Sequence, residues 1–510
     1  MDNKVKKGFK VISKDGNKAN VEIIYDNDSS EVVEYYILQT KDLNELTNLR
    51  EQFFISNIYI DGFSYADFCR GNKKEIINLN ANDIIFDGYS DFSGAVFEGS
   101  VSFSNAMFGN GDVNFEYTSF KYGDVIFDGV VFGERTTSFK NASFGEGSVS
   151  FRGATFGKGG VTFRGVSFGE GSVSFEGATF GEGGVSFESA DFGKGNVSFG
   201  EIRLNKGNLY FDDAIFGEGD VSFSYAKFNY GDVLFRNTVL GEGNISFRGA
   251  ELRDAGLLFI NTSFASSIDR KITFSGLNTY DDSSSRLFFS DCVILVSIVL
   301  HVERVTALSF QHCTNSGVID LRTMGYEEIR SLRFINFLNL GVVDMNWDSL
   351  KKSIEDPNAQ DSESSLADEM KMLKENFHNQ GYYDWEDEAY VKYMNYHRNT
   401  LSPSKKRALC VLERIGDYGT NPLKVFLWMF AVVFVFGLLY LLMGSRSITV
   451  NGAYKWWSPF YYSMITFLTV GYGDFAAQTG LAALLAGIEG FLGVFLMSYF
   501  SVSLVRKTLR

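Results

Sequence analysis

Several familiar signatures of function are missing from this chain of 510 residues. Its four cysteines have no paired short spacing, which excludes a cysteine-based metal site and gives no indication of an oxidising compartment. No Walker loop, zinc-binding pattern or catalytic triad is visible either. We therefore do not expect an enzyme, and we expect no nucleic-acid partner.

Two further signatures are missing, a signal sequence and a voltage sensor. The opening residues MDNKVKKGFK contain no apolar signal core, so residues 1–400 are expected to stay in the cytoplasm. No apolar segment carries arginine at every third position, which excludes a voltage sensor. Any regulation is therefore expected to enter through the N-terminal region.

That N-terminal region contains an internal repeat in which phenylalanine recurs at every twelfth position. Valine or isoleucine usually precedes each repeating phenylalanine by two residues, and a second ladder of phenylalanine or leucine follows five residues later. A repeat of this regularity indicates one structural unit stacked many times. Thirteen phenylalanines keep the period without interruption: Phe103, Phe115, Phe127, Phe139, Phe151, Phe163, Phe175, Phe187, Phe199, Phe211, Phe223, Phe235 and Phe247.

Each repeat reads as two short strands separated by glycine turns. Alternating apolar and polar residues are typical of a strand with one buried face, so the repeats predict a parallel β-solenoid. We predict 12-residue coils, 13 of them regular, with the phenylalanines in an interior column. The predicted boundaries are an N-terminal cap at 1–80, the solenoid at 81–348 and its regular part at about 101–252.

Two fragments, SFRGA at 150–154 and SFEGA at 174–178, resemble the coils of pentapeptide-repeat domains. That family implies a square cross-section. A strict five-residue period is absent here, so the cross-section and the handedness stay open. The outward position between the valine and phenylalanine ladders is mostly serine, which suits a recognition face or simply a solvated one.

Helices are predicted between the solenoid and the C-terminal region. Residues 349–400 read as an acidic linker and a helical hairpin around Gly381, because apolar residues recur at helical spacing. Residues 401–421 read as an amphipathic, basic juxtamembrane helix. A helix of this kind lies on the membrane surface and transmits pulling to the span that follows.

Residues 422–510 read as an all-α transmembrane domain. Leu423–Met443 and Gly480–Val505 are apolar and each long enough to cross a bilayer. A shorter apolar segment between them starts at Ser458-Pro459, a typical helix start. This order predicts a first span, a re-entrant pore helix and a second span.

The strongest functional motif directly follows the pore helix and reads Thr469-Val470-Gly471-Tyr472-Gly473-Asp474. Four such strands around one axis present rings of backbone carbonyls that replace the hydration shell of K⁺. Glycine suits this path because it takes positive φ without steric cost. We predict that the carbonyls of residues 469–472 coordinate K⁺ ions.

This motif between two spans resembles the two-transmembrane potassium channels over roughly Leu423 to Lys507, about a sixth of the chain. The resemblance implies a homotetramer in the lipid bilayer in which each chain supplies one filter strand. The family often braces the filter aspartate with a tryptophan, and the matching residue is Tyr461. Leu468 stands where many relatives have threonine, and Ile465 where some have a carboxylate.

The second span contains an unusual carboxylate. Glu489 is costly if it faces lipid, so either it has a functional role or it forms a hydrogen bond that holds the second span to the pore helix. We predict support of the filter by Tyr461, Tyr462, Thr466 and Glu489. The family resemblance places a gating hinge at Gly493, and we predict an apolar inner gate at Phe495, Ser498, Tyr499 and Val502.

Charge sets the expected orientation. Basic residues precede the first span and follow the second, so both termini are expected in the cytoplasm of a plasma-membrane protein. Residues 401–510 carry 10 Lys/Arg and 4 Asp/Glu, a net +6, while the whole chain carries −15 and the first 400 residues therefore −21. The acidic charge either concentrates cations near the pore or only keeps the solenoid soluble.

Two functions remain open at this stage. In the first, the protein is a tetrameric potassium channel whose cytosolic solenoid serves gating, assembly or partner binding. In the second, it is a membrane-tethered solenoid scaffold with a vestigial or secondary pore. The intact filter motif favours the channel, and the gating stimulus and any solenoid ligand are not indicated.

Overall fold

The computed structural model describes residues 6–40, 53–54, 58–69, 75–76, 78–264, 270–279, 285–355, 362–450 and 454–509. The chain divides into two compact units, Met1–Ala359 and Gln360–Arg510. Short parallel strands dominate the first unit and helices the second. The predicted order of a β-solenoid followed by a helical region with two candidate spans is confirmed.

One coil of the solenoid is twice as long as the predicted 12-residue coil, which corrects that prediction. Val101–Ser102 pairs in parallel with Val125–Ile126, which in turn pairs with Val149–Ser150. The sequence repeat therefore covers half a coil. The two halves carry the same signature because opposite sides of the coil have the same environment.

Four two-residue strands make up a regular coil and start six residues apart. In the coil that begins at Val101–Ser102 the others are Met107–Phe108, Val113–Asn114 and Ser119–Phe120. The solenoid therefore has four sides, as the pentapeptide-repeat resemblance implies, with six residues to a side instead of five. It runs for about 11 turns.

The core consists of stacked phenylalanine rings. Phe103 lies 5.1 Å from Phe127 in a parallel stack, and Phe127 lies 4.8 Å from Phe151. Phe115 belongs to a second stack and meets Phe103 edge to face at 5.7 Å. The predicted single column is thus two facing columns, and such ring pairs add about 0.5–1.5 kcal/mol each beyond burial.

Side chains of Asp and Asn connect successive coils at the turns. The Ser148 amide donates to Asp124 Oδ1 at 2.9 Å, and the Asn244 amide donates to Asp220 Oδ1 at 2.7 Å. These bonds satisfy backbone groups that the short strands leave unpaired. The Gly-x-Gly turns are needed where coils approach most closely, since a Cβ at Gly169 would overlap a backbone carbonyl of the preceding coil.

Additional elements cover both ends of the solenoid. At the N-terminal end, Ser30–Leu38 closes an antiparallel three-stranded segment and also pairs in parallel with Ile58–Ser64. At the C-terminal end, the last strand Val342–Met345 is followed by the helix Trp347–Ile354, whose residue Trp347 is fully buried. The helix occupies the beginning of the region predicted as an acidic linker.

The strands of the first unit are mostly two residues long in the regular part, and longer strands occur towards both ends. In chain order they are Lys6–Asp15, Lys18–Tyr25, Ser30–Leu38, Phe53–Phe54, Ile58–Ser64, Glu75–Ile76, Leu79–Asn80, Ile85–Asp91, Val96–Phe97, Val101–Ser102, Met107–Phe108, Val113–Asn114, Ser119–Phe120, Val125–Ile126, Thr137–Ser138, Ser143–Phe144, Val149–Ser150, Thr155–Phe156, Val161–Thr162, Val173–Ser174, Thr179–Phe180, Val185–Ser186, Val197–Ser198, Arg203–Leu204, Leu209–Tyr210, Val221–Ser222, Lys227–Asn229, Val233–Arg236, Val239–Leu240, Ile245–Ser246, Glu251–Arg253, Gly256–Ile260, Ser263–Phe264, Lys271–Ser275, Asn278–Thr279, Arg286–Ser290, Val293–Ile294, Ser297–His301, Val305–Gln311, Thr314–Asn315, Val318–Leu321, Ile329–Ile335, Leu338–Asn339 and Val342–Met345.

The helices are numbered in chain order. Among the described residues, the helices with defined bounds are two in the first unit and six in the second: α1 (Tyr65–Cys69), α2 (Trp347–Ile354), α3 (Glu363–Gln380), α4 (Tyr383–Asn399), α5 (Pro403–Gly416), α6 (Pro422–Met443), α7 (Ser458–Phe467) and α8 (Gly480–Thr508). A 3₁₀ turn at Asp417–Gly419 joins α5 to α6. The second unit also contains two paired strands, Ile448–Val450 and Phe475–Ala477, so it is not purely α-helical as predicted.

Candidate functional site

Three helices of the second unit frame the site. By length and composition α6 and α8 can each cross a membrane, and their side chains are largely exposed in the single chain. The short helix α7 lies against both. It starts with Pro459 in the first helical turn and contacts α6 through Ser463, whose Oγ donates to the Val433 carbonyl at 2.8 Å.

Backbone hydrogen bonds attach the first residues of the motif to the C-terminal end of α7. The Thr469 amide donates to the Thr466 carbonyl and the Val470 amide to the Ile465 carbonyl, both at 3.0 Å. These two bonds fix where the segment begins. Thr466, predicted from the sequence to support the motif, is therefore at its base.

The backbone φ angle alternates in sign along the motif. Thr469, Gly471 and Gly473 have φ values of 55°, 49° and 80°. Alternation of this kind turns successive carbonyls toward one side of the segment. The glycines were expected to take positive φ, whereas Thr469 was not, and a non-glycine residue in this region is uncommon and often functional.

The far end of the motif is held by a two-stranded sheet. Phe475–Ala477, directly after Asp474, pairs antiparallel with Ile448–Val450 from the segment after α6. Gln478 adds a side-chain hydrogen bond to Thr449 Oγ1 at 2.7 Å. Sequence reasoning missed this strand pair because each strand has only three residues and no clear alternation.

Two tyrosines of α7 lie beside the motif. The Tyr461 ring contacts Phe475 at 5.1 Å, and Tyr461 is close enough to Asp474 to interact electrostatically with it. Asp474 Oδ1 is buried and has no hydrogen-bond partner among the described residues. Tyr462 is buried and meets the Tyr440 ring edge to face at 4.9 Å.

Glu489 lies fully buried between three helices. Its carboxylate accepts a hydrogen bond from the Tyr440 hydroxyl of α6 at 2.9 Å and another from the Ser463 hydroxyl of α7, whose single proton is shared with the Val433 carbonyl. The arrangement joins α6 and α8 to α7. A hydrogen bond between Glu489 and the helix before the motif was among the alternatives given by the sequence, whereas the bond to Tyr440 was not, although a hydroxyl inside an apolar span signals the need for a polar partner.

Gly493 lies one turn further along α8, at a close helix contact. The helix is continuous from Gly480 to Thr508, and a Cβ at Gly493 would overlap the carbonyl oxygen of Phe467 at the end of α7. Glycine is thus required here for close packing. A hinge at this residue stays a prediction.

The residues predicted to form the inner gate divide into two sets. Phe495, Ser498 and Val502 recur at helical spacing and are exposed on one face of α8. The Tyr499 ring stacks beside Phe495 at 6.2 Å but is partly buried, and its hydroxyl donates to the Leu412 carbonyl of α5 at 3.4 Å. It therefore connects the second span to the juxtamembrane helix.

Residues 428–510 match the family model described as ion channel. This C-terminal region is an ion channel domain. The match covers α7, the motif, α8 and most of α6, so the resemblance inferred from the sequence is confirmed for this part of the chain. No curated protein and no solved structure matches the chain.

The juxtamembrane helix is joined to the ion channel domain at the start of α6. Lys424 Nζ lies 2.6 Å from Asp417 Oδ1, and Trp428 Nε1 donates to the Arg414 carbonyl at 2.9 Å. Next to them, burial and the Glu413 carboxylate raise the pKa of Tyr418 to about 12. The connection between α5 and α6 is thus held by side chains and not by the backbone alone.

Proposed function

We propose that this protein is the subunit of a homotetrameric, potassium-selective channel of the plasma membrane, with the solenoid in the cytoplasm. The observation that carries the proposal is the alternating backbone of Thr469, Gly471 and Gly473, placed directly after a half-helix between two candidate spans. The family match covers ion channels in general, so potassium selectivity, the tetramer and the plasma-membrane location go beyond it.

Conduction follows from the carbonyl groups of residues 469–472. A K⁺ ion enters only where other oxygens replace its hydration shell, and rings of carbonyls supply them without a net charge that would hold the ion too tightly. K⁺ is the permeant species, moving passively down its gradient. The chain itself performs no chemistry on it.

A tetramer is proposed because one chain supplies one motif strand. A closed ring around the ion path needs several copies related by a rotation axis, and four copies suit K⁺. In the single chain Tyr472 is 72% and Val502 65% exposed, which is costly for apolar and aromatic side chains in water. Neighbouring subunits would cover part of this surface and lipid the rest.

Glu489 is proposed to stabilise the pore. Its two hydrogen bonds tie α6 and α8 to α7, whose end carries the motif through the amides of Thr469 and Val470. Displacing α7 would therefore displace the filter. A buried carboxylate with satisfied hydrogen bonds is compatible with a position inside a membrane, whereas the same group facing lipid is not.

The experiment that tests the proposal is flux from purified protein in liposomes. Potassium and rubidium should pass far better than sodium, and barium should block. Equal potassium and sodium flux would contradict the proposed filter, and a lack of any flux would favour the scaffold alternative. Native mass spectrometry checks the tetramer, and a stable monomer or dimer would contradict it.

A further inference from the structure

The C-terminal end of α8 is bound to the helical hairpin by a cluster of ion pairs. Arg506 Nη2 lies 3.0 Å from Asp387 Oδ1. Lys507 Nζ lies 2.7 Å from Asp384 Oδ1 and 3.3 Å from Asp387 Oδ2. Both aspartates belong to α4, so two cations of the second span share two carboxylates of the hairpin.

Burial makes this cluster stronger than an ordinary surface pair. The Asp387 side chain is only 8% exposed, and that of Arg506 is 24% exposed. The Arg506 guanidinium also lies 4.4 Å from the centre of the Tyr390 ring, in cation–π contact. Ion pairs that are largely withdrawn from water are screened less by salt, and breaking one is costlier than breaking an exposed pair.

The same helix α4 also contacts the segment that leads into the first span. Arg398 forms an ion pair with Glu413 of α5 and donates to the Tyr418 hydroxyl at 3.0 Å. Tyr418 in turn donates to Asn395 of α4 at 2.8 Å. One helix of the hairpin is thus attached to the juxtamembrane helix at one end and to the second span at the other.

We propose that Asp384 and Asp387 form a latch with Arg506 and Lys507 that holds the end of the second span against the hairpin and so keeps the pore closed. The latch rests on the proposed channel function. It differs from pulling through the basic juxtamembrane helix, because the hairpin acts directly on the helix whose exposed face would line the inner gate. Motion of the hairpin would thereby open or close the pore.

Helix geometry explains why the latch opposes bending. Arg506 lies 13 residues beyond Gly493, which is roughly 20 Å along the helix axis. A bend of about 15° at Gly493 would move Arg506 by roughly 5 Å, far more than an ion pair tolerates. The second span can therefore bend only when the latch breaks or the hairpin moves with it.

The test uses the full-length channel in planar bilayers. Asp387→Asn removes the buried charge with little change of shape, and we expect the ratio of open to closed time to rise about tenfold or more. Lys507→Gln should raise it by a smaller factor, since Lys507 is more exposed. The matched control is Asp368→Asn on the exposed face of α3, which should gate like the wild type.

A double-mutant cycle separates the latch from general damage to the hairpin. If Asp387 and Arg506 act on gating through each other, the double variant Asp387→Asn/Arg506→Gln should open no more than the stronger single variant. Additive effects, unchanged opening or reduced opening of Asp387→Asn would overturn the latch.

A second measurement does not depend on conduction. In hydrogen exchange, the amides of the last two turns of α8 should exchange several-fold faster in Asp387→Asn than in the wild type or in Asp368→Asn. Unchanged exchange would overturn the latch even if the protein passes no ions. A wild type that fails to conduct, with faster exchange in Asp387→Asn, would overturn the proposed function and leave the contact standing.

Discussion

The solenoid and the ion channel domain place their apolar residues in opposite ways. In the solenoid, phenylalanines such as Phe103 and Phe127 are fully buried within one chain. In the ion channel domain, Leu442 is 83% and Phe491 74% exposed in one chain. The solenoid core is therefore complete in a single copy, whereas the apolar surface of the ion channel domain needs cover from outside the chain, which our proposal assigns to lipid and to other subunits.

The two regions also satisfy their polar groups differently, at the surface in the solenoid and in the interior in the ion channel domain. Solenoid turns repeat one solution, in which an Asp or Asn side chain accepts from the next coil, as Asp124 does from the Ser148 amide. In the ion channel domain, the carboxylate of Glu489 accepts hydrogen bonds from two other helices and so joins three helices. Loss of one solenoid bond affects one turn among many equivalent turns, whereas loss of Glu489 removes a contact among three helices at once.

The sharpest test of this contrast is Gly473→Ala. The residue has a φ of 80°, where a Cβ costs about 1–2 kcal/mol in every subunit. Over four subunits this strain should reduce potassium flux by at least about a hundredfold. The thermal unfolding of the solenoid should not change, because its core lies within one chain. Liposome flux and circular dichroism of the same preparation measure both.

The matched control for this variant is Gly487→Ala. Gly487 lies in α8, and a Cβ there meets nothing within 4 Å. Its flux should equal that of the wild type. Normal flux from Gly473→Ala would contradict the proposed backbone, and loss of flux from both variants would point to poor assembly instead.

The second test concerns Glu489. Glu489→Leu leaves the Tyr440 hydroxyl buried without this acceptor, at about 1–3 kcal/mol, whereas the Ser463 hydroxyl keeps the Val433 carbonyl as an acceptor. We expect at least a tenfold loss of flux and fewer tetramers in native mass spectrometry. Glu489→Gln keeps an acceptor for Tyr440 and should lose little.

The control for Glu489 is Tyr440→Phe, which removes one of the two hydrogen bonds and should give an intermediate loss. A Glu489→Leu channel with normal flux would show that the carboxylate does not hold the filter. A Glu489→Gln channel as damaged as Glu489→Leu would show instead that the charge itself is needed.

The sequence predicted the solenoid well but not its coil length. A regular period identifies positions with equivalent environments. A phenylalanine has the same environment on two opposite sides of a four-sided coil, so both sides carry the same sequence repeat. The strand pairing in the structure, such as that of Val101 with Val125, establishes that stacked positions lie two sequence repeats apart. Periodicity therefore predicts the fold class and leaves open how many repeats complete one turn.

The candidate site divides in the same way. The motif at 469–474 and its two spans were evident because local sequence specifies them. The contacts of Tyr440 with Glu489 and of Asp387 with Arg506 join residues that are far apart in the chain, and no local pattern marks them. Such contacts depend on how helices pack, which composition and spacing do not specify.

The third test acts on the solenoid alone. Phe175 is fully buried and stacks on Phe151 at 4.9 Å and on Phe199 at 5.2 Å. Phe175→Ala should lower the free energy of unfolding of the solenoid by about 3–5 kcal/mol, measured by hydrogen exchange of its coils. Potassium selectivity should not change. The control is Ser174→Ala, its half-buried neighbour, and a change of selectivity in Phe175→Ala would contradict the independence of the two regions.

The fourth test, with the smallest expected effect, asks whether the loss of one hydrogen bond between coils has only a local consequence. Asp220 Oδ1 accepts from the Asn244 amide at 2.7 Å and from Asn244 Nδ2 at 3.3 Å. Asp220→Ala should cost only about 0.5–1.5 kcal/mol, because the freed amide is at the surface and water replaces the carboxylate. Exchange of the Asn244 amide should accelerate by roughly three- to tenfold, with little change two coils away. The exposed residue Glu218 supplies the control, Glu218→Ala, which should leave this amide unchanged. Faster exchange along the whole solenoid in Asp220→Ala would mean that the coils depend on each turn far more than their stacked phenylalanines suggest.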